Sequence, residues 1–372
     1  MNDFLFLDGL TPLQRRLIDI CRAEAPNDRV LINAKDILKV LALQDWKMDE
    51  NDFEYDCEAL SSYVEPIESY PPDSLGYAYR QILQLGLPWR CRYPHFELRG
   101  MYGDPHDEVP QGPEYVELRL SRFSHVVMPV GKAPLLPLAL LNGASLPDGT
   151  QIPPHNLEEL WTAFEYVRQE PNIPLDELME FLPGPDFASA GVVGGHNAVR
   201  ALYADGKGEL ILRADIQTEM EGARTRLSIT SLPPGVLVRT VMQQLRALVE
   251  EGTIPLHSLK NASERNQIRI VLDAPRRWSA EGLKELLFKR TDLEKRVLFN
   301  CSAPDASGWK GGVSLVETLK QATARCTLSW ERKDDEPIEH IPLLREIQEF
   351  GGYKSPLSDL IDPRRSRLLN IS

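Results

Sequence analysis

Seven basic side chains lie between positions 80 and 132: Arg80, Arg90, Arg92, Arg99, Arg119, Arg122 and Lys132. With Arg15 and Arg16 near the start of the chain, they are the groups best suited to neutralise phosphates along a nucleic acid backbone. The formal charge of the 372 residues is −13, which argues against indiscriminate binding to a polyanion. It does not forbid a local basic groove, because field depends on distribution as well as on sum. Segregation is visible: Asp45–Glu68 carries nine carboxylates and one lysine, and the arginine-bearing segment follows it.

Other chemistries find less support. Asp104-Pro105-His106-Asp107-Glu108 is dense in metal-capable groups, but consecutive residues rarely converge on one ion, so no metal site is expected there. Pro153-Pro154-His155-Asn156 reads as a turn into a helix cap, with His155 structural. Asp205-Gly206-Lys207-Gly208 reads as a turn into a strand. No Gly-x-x-x-x-Gly-Lys-Ser/Thr occurs, so the chain is not expected to hydrolyse ATP by itself. The five cysteines are widely spaced without a Cys-x-x-Cys, which fits reduced thiols. No apolar run reaches the roughly 20 residues that a membrane helix needs, and Met1-Asn2-Asp3-Phe4-Leu5 lacks a secretory pattern. A cytoplasmic protein without a membrane partner is expected.

The elements that must position these groups can be read from periodicity and caps. Thr11 or Asp8 can open a helix over Pro12–Glu24, with Leu13, Leu17, Ile20 and Cys21 at helical spacing. Asn33 or Asp36 opens a second, running through Leu43. Asp73 or Ser74 caps a third that ends near Gly86-Leu87-Pro88. Three helices followed by extended, turn-rich chain fit a helix-turn-helix with a wing. A further helix is expected over Glu114–Met128. Pro129–Pro154 reads as a connector. Beyond it, helices at Leu157–Gln169, Leu175–Leu182, Asn197–Ala204, Leu237–Glu251 and Ala280–Arg290 alternate with strands at Gly208–Gln217, Thr225–Ser231 and Gln267–Leu272. That mixture predicts an α+β fold. A last helix is expected at Ser314–Arg332.

Several stretches, in this order, resemble the A subunit of bacterial DNA gyrase and topoisomerase IV, the type IIA topoisomerases. Leu7-Asp8-Gly9-Leu10-Thr11-Pro12-Leu13-Gln14-Arg15-Arg16 is similar to the Arg-Asp-Gly-Leu-Lys-Pro-Val-His-Arg-Arg that starts the family's winged-helix domain. Ile152-Pro153-Pro154-His155-Asn156-Leu157, Leu182-Pro183-Gly184-Pro185-Asp186-Phe187 and Asp205–Asp215 resemble its central part. Ser231-Leu232-Pro233 stands where the family has Glu-Ile-Pro. Ile268–Val271 and Leu286–Leu293 resemble the end of its tower domain. The resemblance implies a winged-helix domain over residues 1–132, a tower domain over 133–300, and a C-terminal helix and weakly patterned tail over 301–372.

In that family a tyrosine attacks a DNA phosphodiester and holds the broken end. It follows a Gly-Asn-Phe-Gly turn by a fixed step. Gly100-Met101-Tyr102-Gly103 resembles the turn, and the step lands on Tyr115. The resemblance therefore implies Tyr115 as nucleophile, with Arg15, Arg16, Arg119 and Arg122 as DNA contacts; Arg80, on the expected recognition helix, is a further DNA contact that could take up part of the positive charge missing elsewhere. The resemblance further implies two partners, double-stranded DNA and a B-type subunit. It implies a homodimer too, with Mg2+ brought by the B-type partner; no cofactor is expected on this chain itself.

Tyrosine needs help to react, since its ordinary pKa is about 10. Here the expected help is thin. Glu114 replaces the family's arginine, and a carboxylate there opposes phenolate and repels phosphate. Pro71-Pro72-Asp73-Ser74-Leu75 replaces a His-Pro-His-Gly-Asp motif. Leu7, Thr11 and Gln14 replace Arg, Lys and His. Leu146–Gln151 is shorter than the segment carrying the family's DNA-bending isoleucine. The chain also reads as a short member without the docking arm, the coiled-coil gate or the C-terminal domain. Cleavage through Tyr115 with a B-type partner is one expectation. A cleavage-deficient relative that binds DNA or another topoisomerase subunit is the alternative, and a protein-binding module that no longer needs DNA is a third.

Overall fold

The computed structural model of the chain describes residues 9–25, 30–62, 71, 73–106, 109–128, 137–146, 148–189, 191–221, 224–264, 267–275, 278–301, 304–305, 308–309, 312–324, 326 and 367–368. They form a mixed α+β fold around three apolar cores.

The first core gathers residues 10–120. Helix α1 (Pro12–Glu24) starts at a reciprocal cap. The Thr11 hydroxyl accepts from the Gln14 amide, and the Gln14 side chain accepts from the Thr11 amide. Strand β1 (Ile32–Asn33) leads into α2 (Ala34–Leu41), capped by Asn33. A π-helical turn, Ala42–Trp46, ends at Lys47 in the left-handed region. Helix α3 (Glu50–Ser62) follows, then α4 (Leu75–Gly86), capped by Ser74. Strands β2 (Phe96–Gly100) and β3 (Val116–Leu120) complete an antiparallel sheet of order β1-β3-β2. Leu17, Ile18, Ile37, Leu38, Phe53, Ile82, Phe96 and Leu118 fill the space between helices and sheet.

Two expectations are corrected here. No helix was expected in the acidic run, yet part of it folds as α3 with Phe53, Cys57 and Leu60 turned into the core. The unit thus has four helices where three were expected. Second, Glu114–Met128 is not one helix. It is a 3-10 turn at Pro113–Tyr115, strand β3, and a short helix α5 (Arg122–Val127) capped by Ser121. Val116, Leu118 and Leu120 are buried while Glu117 is exposed, a period of two. Pairing with β2 overrides the helix propensity of the Glu, Leu and Arg residues.

The second core lies around a six-stranded mixed sheet. Helix α6 (Leu138–Asn142) and the hairpin β4 (Ala144–Ser145)–β5 (Gln151–Ile152) occupy the part of the expected connector that is described. Helices α7 (Leu157–Gln169) and α8 (Leu175–Phe181), strand β6 (Val192–Val193), α9 (His196–Asp205) and β7 (Lys207–Arg213) follow. Gly206, at φ +69°, turns α9 into β7. Trp161, Phe164, Tyr203 and Phe299 are the largest side chains of this core.

The third core is an excursion. The chain leaves β7 at Arg213 and builds β8 (Ile216–Glu221), β9 (Arg224–Ile229), α10 (Val238–Glu250), β10 (Ser258–Asn261), β11 (Ile270–Pro275) and α11 (Ala280–Arg290). It then returns as β12 (Glu294–Asn300), antiparallel to β7, with Glu294 opposite Arg213. The expected single strand Gly208–Gln217 is therefore two strands in two sheets, broken at Ala214-Asp215. Helix α12 (Leu315–Thr323), capped by Ser314, closes on the second core and ends with its C-cap at Ala324, short of the expected Arg332; residues 327–332 lie outside the described residues.

Candidate nucleic-acid interface

Tyr115 ends the 3-10 turn, and its side chain is 54% exposed. Its backbone is held at three points. The Tyr115 amide donates to Gly112 O at 3.0 Å, its carbonyl accepts from Met101 N at 3.0 Å, and the preceding carbonyl of Glu114 accepts from Asn33 Nδ2 at 2.9 Å. Asn33 performs two tasks, because its Oδ1 also caps α2 by accepting from Lys35 N at 2.8 Å. Gly100, at φ +99°, lies against the Tyr115 carbonyl so closely that a Cβ would overlap it. The Glu114 carboxylate folds back over Gly112, and its charge acts on Tyr79 and Lys35. Burial, and secondarily that carboxylate, pushes the Tyr79 phenol far up; its hydroxyl donates to Gln111 O at 2.8 Å.

The arginines do not gather around Tyr115. Arg16 pairs bidentately with Asp45, Nε to Oδ2 at 2.6 Å and Nη2 to Oδ1 at 3.1 Å. Arg119 reaches Glu97 across the β2–β3 ladder at 2.6 Å. Arg15 is half-buried on α1, and Arg122 is exposed at the start of α5. Arg80 is different. Helix α4 is buried on nearly every side and presents only Tyr77, Arg80 and Gln84 as half-buried residues, spaced as one stripe. The Arg80 guanidinium lies 4.8 Å from the Tyr77 ring centre.

That stripe faces a cleft of about 540 Å³ between the first and second cores. Thr11, Gln14, Trp89 and Arg90 line it on the same side, and Ser145, Gln151, Ser189 and Gly235 on the other. Gln14 donates to Gln81 at 2.7 Å at its floor. The sequence singled out neither Tyr77 nor Trp89. The signal was available, since each stands beside a helix-end or helix-face arginine. Below the cleft, Arg92 pairs with Asp186 at 2.9 Å, both buried, and ties the two cores together. The third core contributes a wall through Pro234-Gly235 and a dock. The amides of Val238 and Arg239, at the unsatisfied start of α10, donate to the carbonyls of Pro105 and His106 at 3.3 and 3.0 Å. The loop Asp104–His106 thus serves as a helix cap, with Asp107 and Glu108 outside the described residues.

His95 and His155 are structural. His155 Nδ1 donates to Leu140 O at 2.7 Å, which leaves Nε2 to accept from the Tyr203 hydroxyl at 2.8 Å. His95 joins Ser124 and Asn142 at the boundary of the first two cores. Burial lowers both to about 4. All five cysteines are free and buried. Among the described residues no group of three His, Cys, Asp or Glu side chains could hold a metal, and no helix is long and apolar enough to cross a membrane.

The family profile for the A subunit of DNA gyrase/topoisomerase IV matches residues 125–335. The chain belongs to this family. Among curated members, the DNA gyrase A subunit of Thermotoga maritima is 28% identical over 255 residues, 62% of this chain and 32% of the relative. The DNA topoisomerase 4 A subunit of Bacillus subtilis is 28% identical over 306 residues, 74% of this chain and 38% of the relative. That of Streptococcus pyogenes is 26% identical over 324 residues, 80% and 36%. The chain spans about a third of the length of these topoisomerase subunits. The profile match begins past Tyr115 and covers the second and third cores.

Proposed function

We propose that the chain binds duplex DNA along the cleft beside α4 as a type IIA topoisomerase A-type subunit, with Tyr115 as the group that attacks the phosphodiester when a B-type partner is present. The observation that carries this reading is the exposure of Tyr115 on a clamped backbone. A tyrosine kept for packing turns its ring inward; this one turns outward from a turn fixed by Gly100, Met101 and Asn33. The order helix, strand, helices, strand, strand with a β1-β3-β2 sheet supports a winged-helix reading of residues 1–132, and the two later cores support a tower reading of 133–300. Arg15, Arg16, Arg80, Arg119 and Arg122 are assigned to phosphate contact. Thr11, Gln14 and Gln84 are suited to neutral hydrogen bonds with the backbone.

Attack by the Tyr115 oxygen on phosphorus would form a tyrosyl phosphodiester and release a sugar hydroxyl; reversal reseals the strand. The Glu114 carboxylate turns back over Gly112. In this proposal Mg2+ comes with the B-type partner, and the protein assembles as a cytoplasmic homodimer.

A second reading, DNA binding without cleavage, is favoured by Glu114, whose carboxylate precedes Tyr115 and turns back over Gly112, where negative charge repels an incoming phosphate. Incubation with supercoiled DNA, candidate B-type partners and magnesium, followed by denaturant trapping, separates the readings. A covalent adduct that vanishes in Tyr115→Phe establishes cleavage. A salt-sensitive gel shift without adduct establishes the second reading. Absence of binding at low salt removes both and leaves a protein-binding module.

A further inference from the structure

Three cations of the first core point at one acidic segment. Arg16 on α1 holds Asp45 at 2.6 Å. Lys35 and Lys39, one turn apart on α2, hold Glu54 at 2.8 Å and Glu50 at 3.1 Å. Gln44 adds a fourth contact, accepting from Arg16 Nη2 at 2.6 Å. The chain makes an irregular turn to bring this about. The π-helical turn Ala42–Trp46 and left-handed Lys47, the one non-glycine residue with positive φ among those described, fold the acids back onto α1 and α2. Such departures from regular helix persist where surrounding contacts hold them.

We infer that Arg16, Lys35 and Lys39 form a phosphate-binding surface that the chain covers with its own carboxylates at Asp45, Glu50 and Glu54. The geometry of each pair is that of a phosphate contact with a carboxylate in its place: a bidentate guanidinium fork in one case, ammonium groups in the others. The cover is weak by construction. The carboxylates of Glu50 and Glu54 remain 72% and 51% exposed, and ion pairs so open to water are readily exchanged. Duplex DNA, with its dense charge, is a competitor that can displace them. The same surface explains how a chain of net charge −13 can keep a polyanion site: it is shielded from weak ligands and opened by strong ones. Lys35 also feels the charge of Glu114, next to Tyr115 in sequence, so uncovering it changes the charge near the proposed nucleophile.

This inference rests on the DNA-binding reading above. Its test compares three full-length proteins on a fluorescent duplex across a salt series. They are the unaltered chain, an uncovered variant (Asp45→Asn, Glu50→Gln, Glu54→Gln) and a control (Glu24→Gln, Asp36→Asn, Asp52→Asn) that removes as many carboxylates from the same unit. The uncovered variant should bind on the order of 10-fold more tightly than the control. Its dependence of log affinity on log salt should steepen by up to about 2.7, roughly 0.9 for each cation released. Adding Arg16→Gln, Lys35→Gln and Lys39→Gln should abolish the gain. Equal gains in both charge variants would overturn the inference and leave DNA binding intact. No binding by any of the proteins at low salt would overturn both.

Discussion

Arg92 and Asp186 meet at 2.9 Å with 8% and 1% of their side chains exposed, one from the first core and one from the second. Asp186 is held further by its own amide, which donates to Pro154 O at 2.8 Å, and by Asn156 Nδ2 at 3.4 Å. The pair joins the two cores below the cleft. Replacing Asp186 by Asn leaves a buried guanidinium without its counter-charge, which should cost about 3–5 kcal/mol. Urea unfolding of Asp186→Asn should show that loss. Arg200→Ala, which removes a pair with Asp176 that is open to solvent, should leave the urea midpoint nearly unchanged.

Acid should loosen the same region. His95 and His155 have ordinary values near 6.5 and are lowered to about 4 by burial. The unfolded chain therefore binds more protons than the folded one between these limits. Stability is fully present above about pH 6.5 and is lost as pH falls towards 4, by about 3 kcal/mol for each ring. Unfolding midpoints measured from pH 7 to 4 should fall less steeply in His155→Gln than in the unaltered protein. An identical slope would mean that the ring takes up its proton equally in the folded and the unfolded chain.

Gly100 should tolerate no side chain. Its φ of +99° is unfavourable for an L-residue, and the Tyr115 carbonyl fills the place of its Cβ. Gly100→Ala should destabilise the first core by about 1–3 kcal/mol. It should also reduce any Tyr115 adduct more than it reduces DNA affinity, which gel shift and trapping on one sample would report.

Arg80 should matter to DNA through charge. Arg80→Ala should weaken duplex binding and reduce the salt slope by about 0.9. Arg168→Ala, paired with Glu165 on α7, should do neither.

Much of this was legible in the sequence where local rules decide. Thr11, Ser74, Asn156 and Ser279 cap helices that begin where their side chains dictate. The α+β class followed from alternating patterns, and the family from motifs that fold as the second and third cores. What stayed hidden depends on distant partners. The strand Val116–Leu120 looks helical until β1 and β2 are placed on either side of it. Helix α3 looks like a solvated acidic run until Phe53 finds its pocket. The charge pairs of Arg16 and Arg119 join segments 29 and 22 residues apart, a distance at which spacing carries no signal. Gly100 stands in the turn that located Tyr115, but its contact with the Tyr115 carbonyl is not legible there, and no motif announces the Asn33 side-chain bond to the Glu114 carbonyl.

Arg213 and Glu294 are opposite each other in adjacent antiparallel strands, 2.7 Å apart at their side chains, where the third core leaves the sheet and returns. Facing residues of such a ladder lie about 5 Å apart at their Cα atoms, a gap that a two-residue turn bridges. Residues 214–293 are thus a cassette. Splicing a tight turn in their place would keep β7 against β12 while deleting the wall at Pro234-Gly235 and the dock for Pro105-His106. Sheet continuity and groove shape should therefore be separable in this chain, the splice resizing the groove while the β7–β12 pairing stays in place.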